Sequence, residues 1–417
     1  MKKIKFLAIP LALICLLSLY ACGGDTKPAE ETTEAPTTLT DETEATNETE
    51  ATEMTEALQW PENVSEEPFA IFDFSEGKDM YGDKTVNIIG DSITQGLNSE
   101  LFYDNSWAAL FKEVMAKKYG THNIGFTSLL AETNEAVPGY ELHKLSFPNG
   151  EDQWEKYYVS TSAPGGLSYA THTQGAILRL SLNRMEGGKD RHINGFYVYY
   201  PEGPYRSTIT VTVNGQTVAE LDANRPEENW CKRSDYIAIP DGCGDELVID
   251  MIAGDCNNKS VIINGISYID DPEDIIINNY SLSGIRLGDI GDATLMEMCK
   301  ANVVILTLGT NDAGFGDIGT FNSKLDRVVY ACQENGSLLI VGNMIWERAN
   351  DPDYGSTFKN ALRDAASEAG GYYLDLNFAR IRSDEFLEPT REWDVHPTVI
   401  GHKLIAEVFT EYLEQLG

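Results

Sequence analysis

From Thr85 onward, short apolar runs alternate with segments of helical spacing. "TVNIIG" (85–90) reads as a buried strand, and "NSWAALFKEVMAKKYG" (105–120) predicts a helix stopped by Gly120. The rhythm then breaks off and resumes at "EDIIINNYS" (273–281). Further strands are predicted at "NVVILTLG" (302–309), "SLLIVG" (337–342) and "YYLDL" (372–376). Helices are predicted near Ala293 to Lys300, Phe321 to Glu334, Ser356 to Ala369 and Thr398 to Leu416. Five apolar strands alternating with helices predict an α/β fold, a parallel sheet covered on both faces.

The interval from 121 to 272 follows another pattern. "AILRLSLN", "INGFYVYYP", "STITVTVNGQTVAELD", "DYIAIP", "DELVIDMIAG" and "SVIINGISYID" are short, partly alternating runs separated by Gly, Asn, Asp and Pro. "VNGQ" (213–216) is a strong hairpin signal. This predicts a β-sandwich or jelly roll inserted after the first strand and helix of the α/β part. About 360 folded residues exceed one compact core, so two domains are expected. The predicted organisation is an α/β domain built from 59–120 and 273–417, with 121–272 inserted.

The beginning of the chain has no such rhythm. Lys2, Lys3 and Lys5 precede an apolar stretch from Phe6 to Tyr20, which has the form of a signal segment and is shorter than a spanning helix. Residues 25–58 hold eleven acidic residues, eleven threonines and one lysine, and have almost nothing to bury. Residues 23–58 are therefore expected to be a disordered spacer, spanning roughly 33 Å as a flexible coil.

The formal charge is −35 for the whole chain. Removing the three signal lysines gives −38, and setting aside the linker's −10 leaves about −28 on the folded part. This charge argues against nucleic acid and anionic lipid surfaces as partners and makes a neutral polymer or ester electrostatically easier. Five cysteines follow the signal: Cys231, Cys243, Cys256, Cys299 and Cys332. Their odd number and spacing argue against a full disulfide framework, with one bridge among the first three left open. His122, His143, His172, His192 and His402 show no ligand spacing, so no metal is expected. The aromatic cluster Phe196, Tyr197, Tyr199, Tyr200 and Tyr205 reads as core for at least half its members, with sugar stacking as the alternative for the others.

Candidate chemistry sits at strand ends. "NIIGDSITQG" (87–96) carries a strand into Gly90-Asp91-Ser92 and then turns toward a helix, placing the Ser92 hydroxyl at the carboxyl end of a parallel strand. "NYSLSG" (279–284), "LGTND" (308–312) and "WDVHP" (393–397) occupy the equivalent ends further on. A serine hydroxyl needs an adjacent base to attack an ester carbonyl, and the resulting oxyanion needs fixed donors. Taken singly, Ser92 also fits a capping serine, Asn311 a turn cap and Gly284 a plain loop glycine.

Together the four blocks, in this order, resemble the SGNH or GDSL-like hydrolase superfamily over residues 85–120 and 274–417. The resemblance implies a flavodoxin-like three-layer sandwich with a five-stranded parallel sheet, here interrupted by the inserted β domain. It also implies Ser92 as nucleophile and His396 as base. The oxyanion hole would consist of the Ser92 and Gly284 backbone N–H groups and the Asn311 amide. Most members place an aspartate three residues before the histidine; here that position is Trp393. Asp394, two before His396, would share its face in an extended segment. The D-x-H-P form is similar to that of carbohydrate esterase family two, in which a backbone carbonyl, here that of Trp393 or Val395, can orient the histidine.

"LYACGG" (19–24) resembles a bacterial lipobox, with residues 1–22 forming the lipoprotein signal and Cys22 the lipidated residue. The expected protein is a lipid-anchored, extracytoplasmic serine esterase that removes O-acetyl groups from a polysaccharide or oligosaccharide, without a cofactor. The rivals are an SGNH esterase or lipase acting on another acyl ester, and a non-catalytic glycan-binding lipoprotein.

Overall fold

The computed structural model describes residues 64–74, 82–99, 105–129, 143–158, 163–183, 192–346, 353–387 and 395–416. The signal segment, the linker, Cys22, Trp393 and Asp394 lie outside these.

The first strand, β1, is Thr85–Ile89. Within the inserted interval come β2 (Gly125–Thr127), β3 (Lys144–Ser146), β4 (Glu155–Tyr158), β5 (Leu167–Thr171), β6 (Ile177–Asn183), β7 (Gly195–Glu202) and β8 (Thr208–Val213). They are followed by β9 (Gln216–Asp222), β10 (Asn229–Arg233), β11 (Ile237–Ala238), β12 (Glu246–Ala253), β13 (Val261–Ile263) and β14 (Gly265–Ile269). The α/β part resumes with β15 (Ile276–Asn279), β16 (Val303–Leu306), β17 (Leu338–Asn343) and β18 (Tyr372–Asp375). Its helices are α1 (Ser92–Gln95), α2 (Trp107–Tyr119), α3 (Asp292–Met298), α4 (Thr310–Phe315), α5 (Ile318–Asn335), α6 (Ser356–Glu368), α7 (Asn377–Arg380) and α8 (Val399–Gln415).

One parallel sheet has the order β15-β1-β16-β17-β18. The second strand of the series lies on one side of the first, and the other three lie on the opposite side. Such a reversal opens a crevice at the carboxyl ends of the strands, here beside β1. Alternation along each strand divides the core. Ile89, Val304, Leu306, Leu339 and Val341 face Leu325 and Val328 of α5 and Leu362 of α6. Val86, Ile88, Val303, Ile305 and Ile340 face Phe111 of α2 and Ile405 and Phe409 of α8. A helix layer on each face completes the three-layer SGNH architecture.

Helix ends follow local chemistry. Ser106 caps α2 by accepting from Ala109 N–H, and Gly120 ends that helix in the left-handed region, as its position in the sequence predicts. Asp317 and Thr398 cap α5 and α8 in the same way.

The interval 121–272 forms three antiparallel sheets, β10-β7-β14-β2 with β11 beside β7, β3-β6-β12-β8-β9, and β13-β5-β4. The "VNGQ" turn joins β8 to β9 with Asn214 and Gly215 both at positive φ, 49° and 81°, the hand that matches strand twist. Strand β7 reads as an unbroken apolar run because both its faces are buried. Phe196, Val198 and Tyr200 enter the core of the insert, whereas Tyr197 and Tyr199 pack with Tyr280, Ile276 and Ile89 of the α/β part. Four members of the aromatic cluster are therefore core, and only Tyr205 is exposed.

Cys231 lies in the shared core, and Cys256 belongs to the insert core with Cys243 packed against it. No disulfide joins the five described cysteines, so the bridge left open among the first three is not formed.

Candidate active site

Ser92 is the first residue of α1, set at the carboxyl end of β1 by the Gly90-Asp91 turn. A Cβ at Gly90 would fall 2.4 Å from the Thr94 Cβ and 2.6 Å from the Thr307 Oγ1, so only glycine lets β1 turn so tightly into α1. Asp91 caps α1 by accepting from Ile93 N–H at 3.0 Å. The two threonine hydroxyls beneath the turn meet at 2.6 Å, and the indole N–H of Trp107 donates to Thr94 at 3.3 Å.

His396 reaches this turn from the segment before α8. Its Nε2 lies 2.8 Å from Ser92 Oγ across a separation of 304 residues. The preceding carbonyl, that of Val395, accepts from the Trp346 indole at 2.7 Å, fixing the backbone beside the imidazole. Of the other acceptors proposed for orienting His396, Asp394 and Trp393 lie outside the described residues.

The loop after β15 carries Gly284 in the left-handed region at φ 79°, with nothing within 4 Å of a built Cβ. Its conformation, and not crowding, selects glycine there. The loop is held from two sides. Gln95 Oε1 accepts from Ser283 N–H at 2.6 Å, and Asp312 Oδ2 accepts from Leu287 N–H at 3.1 Å. Asn311, in the first turn of α4, donates through Nδ2 to Ile285 O at 3.0 Å. An asparagine amide has a second N–H, which this bond leaves for another acceptor.

Two carboxyls lie buried within this frame. Burial pushes Asp91 up to about 7; the Ile93 N–H and the charge of His396 pull it down, and Asp312 pushes it further up. Burial likewise raises Asp312 to about 6, against the backbone N–H groups of Leu287 and Gly288. Asp91 Oδ2 takes no hydrogen bond among the described residues.

Of the residues that sequence reasoning put forward, Ser92 opens α1, Gly284 lies in the loop after β15, Asn311 lies in the first turn of α4 and His396 lies in the segment before α8. That reasoning did not identify Gln95, Asp312 or Arg286 as the groups that hold the loop. Gln95 and Asp312 lie inside the quoted motifs, but their partners are far away in sequence. His402, which shows no ligand spacing in the sequence, is buried, with Nε2 3.1 Å from Leu97 O and Nδ1 3.4 Å from Trp107 N. Burial lowers it to about 4, so it stays neutral and clamps the turn after α1. Among the described residues, no group of three or more His, Cys, Asp or Glu comes together in a way that could hold a metal ion.

A parallel sheet of this order, with a serine and a histidine in hydrogen-bond contact at its carboxyl edge, defines an SGNH-type α/β hydrolase fold. Residues 269–404 match the model of the GDSL-like Lipase/Acylhydrolase family. The match begins at Ile269, the last residue of β14, so Ser92 lies outside it in sequence and joins it only in space. Among solved structures, one described as "Peptidoglycan O-acetylesterase in action, 5 min" aligns with 80% of this chain and 91% of its own, at 15% identity and TM-score 0.53. A family two carbohydrate esterase from Clostridium thermocellum, in complex with cellohexaose, aligns over 63% of this chain and 98% of its own, at 11% identity and TM-score 0.26. No curated protein sequence matches the chain.

Proposed function

We propose that this protein is a serine esterase that removes O-acetyl groups from a carbohydrate through an acyl-enzyme. The observation that carries the reading is the 2.8 Å contact between Ser92 Oγ and His396 Nε2. With its proton on Nδ1, His396 accepts the Ser92 O–H as the oxygen attacks the acetyl carbonyl. The Asn311 amide and the Ser92 and Gly284 N–H groups stabilise the tetrahedral oxyanion. His396 then returns the proton to the departing sugar oxygen, leaving acetyl-Ser92. Water, deprotonated by the same imidazole, releases acetate. Asp394 is assigned as the group that orients His396.

A neutral sugar acetate is compatible with the chain's charge of −35. The fold shared with a peptidoglycan O-acetylesterase supports an O-acetylated glycan as substrate. Lipidation at Cys22 would hold the enzyme at the outer side of a bacterial membrane, and the acidic linker would give it reach.

The test is acetate release from acetylated glycans. Ser92→Ala is expected to lower turnover by at least about 10³-fold with the melting temperature unchanged. Unchanged turnover in that variant rejects the assignment.

A further inference from the structure

We propose that Phe315 is the platform on which the sugar ring bearing the scissile ester packs, and so a specificity-determining residue; this rests on the esterase reading above. Phe315 is 83% exposed, more than any other large apolar side chain among the described residues. Scattered exposed apolar residues are ordinary, but the placement of this one is not. It follows Asn311 by four positions in α4, so the two share one face of the helix. The ring that water reaches most freely thus stands one turn from the assigned oxyanion donor.

Its backbone is fixed although its ring is not covered. Arg286, two residues beyond Gly284, donates through Nη1 to Phe315 O at 3.2 Å. Asp289 holds the same guanidinium through Nε at 3.0 Å and Nη2 at 2.7 Å. The end of α4 and the Gly284 loop are therefore one clasp, and Phe315 is presented from it on a fixed main chain. Ordering the platform for a ligand costs little beyond the ring's own two torsions.

The exposure also selects the ligand. A long acyl chain gains most from an enclosing channel that removes all its surface from water. An open ring covers one face of a ligand and leaves the other solvated. A pyranose matches this, with an apolar C–H face to lay on the ring and hydroxyls directed to water. A neutral sugar also meets no repulsion from so acidic a chain.

The experiment compares Phe315→Ala, Phe315→Leu and Phe315→Trp by acetate release from acetylated xylo-oligosaccharides, from cellobiose octaacetate and from ethyl acetate. On the sugar esters Phe315→Ala is expected to lower kcat/KM about five- to tenfold, mainly through KM. Phe315→Trp is expected to retain wild-type values, and Phe315→Leu to resemble the alanine variant. On ethyl acetate all three should stay within about twofold of wild type. Equal losses on sugar and simple esters, no loss on either, or full function with leucine overturns the platform. The esterase reading fails separately: wild type and Ser92→Ala would then release acetate equally from every ester. Ser92-dependent hydrolysis of ethyl acetate with none of either sugar ester removes the carbohydrate assignment and the platform with it.

Discussion

Gln95 accepts a 2.6 Å hydrogen bond from the backbone N–H of Ser283, 188 residues away. This bond joins the helix that begins at Ser92 to the loop that presents Gly284. Ser92, the proposed nucleophile, and Gly284, a proposed oxyanion donor, are thereby held in a single frame, which is what positioning for an acyl transfer requires.

Gln95→Ala removes that acceptor and leaves the Ser283 N–H unpaired. Turnover is expected to fall about tenfold, with a smaller change in KM, because the loop loses position while the nucleophile remains. Steady-state kinetics on an acetyl ester check this; a rise in KM with unchanged kcat would contradict it.

Asn311→Ala removes the amide assigned to the oxyanion. The expected loss is about 10²–10³ in kcat. It also frees Ile285 O, to which the amide donates at 3.0 Å. Asn311→Asp keeps the size but removes the donor, so comparable losses in both variants would locate the effect in the missing N–H.

Asp394→Asn tests the orienting group. If the carboxylate holds the imidazole, kcat should fall by orders of magnitude, up to about 10⁴. A near-wild-type rate would assign that task to a backbone carbonyl. Val395 O already accepts from Trp346, at 2.7 Å, so a further variant, Trp346→Phe, measures how far that contact places His396.

Asp91 makes stability depend on pH. Its folded carboxyl is raised to about 7 by burial, so between its ordinary value near 4 and 7 the folded protein binds a proton more tightly than the unfolded chain. The stabilisation from this group is full below pH ~4 and is lost as pH rises through about 7. Asp91→Asn should flatten the fall in stability across that window by at most about 1.4 kcal/mol per pH unit. Denaturant titrations at pH 4, 5.5, 7 and 8 check this. Asp312, raised by burial in the same direction to about 6, will keep part of the slope in the variant.

The sequence by itself determined the parallel sheet, the approximate positions of its five longest described helices and the four candidate segments at the strand ends. Those are local properties: strand runs of four to six residues, cap residues such as Ser106 and Asp317, and turns such as Asn214-Gly215 write their geometry into neighbouring positions. Short strands in the insert, such as β2 and β4, were not legible, because three or four residues give too little periodicity and their pairing partners lie elsewhere in the chain. The double burial of β7 was also hidden, since an unbroken apolar run does not say what covers each face.

Tertiary structure alone decided the convergence. Ser92 meets His396 across 304 residues, and Gln95, Asp312 and Arg286 become supports of one loop only once the sheet order places β15 and β16 on either side of β1. A side chain's partner three hundred positions away is set by topology and packing, which no local pattern encodes. The motifs name the candidate groups, and the fold sets the distances between them.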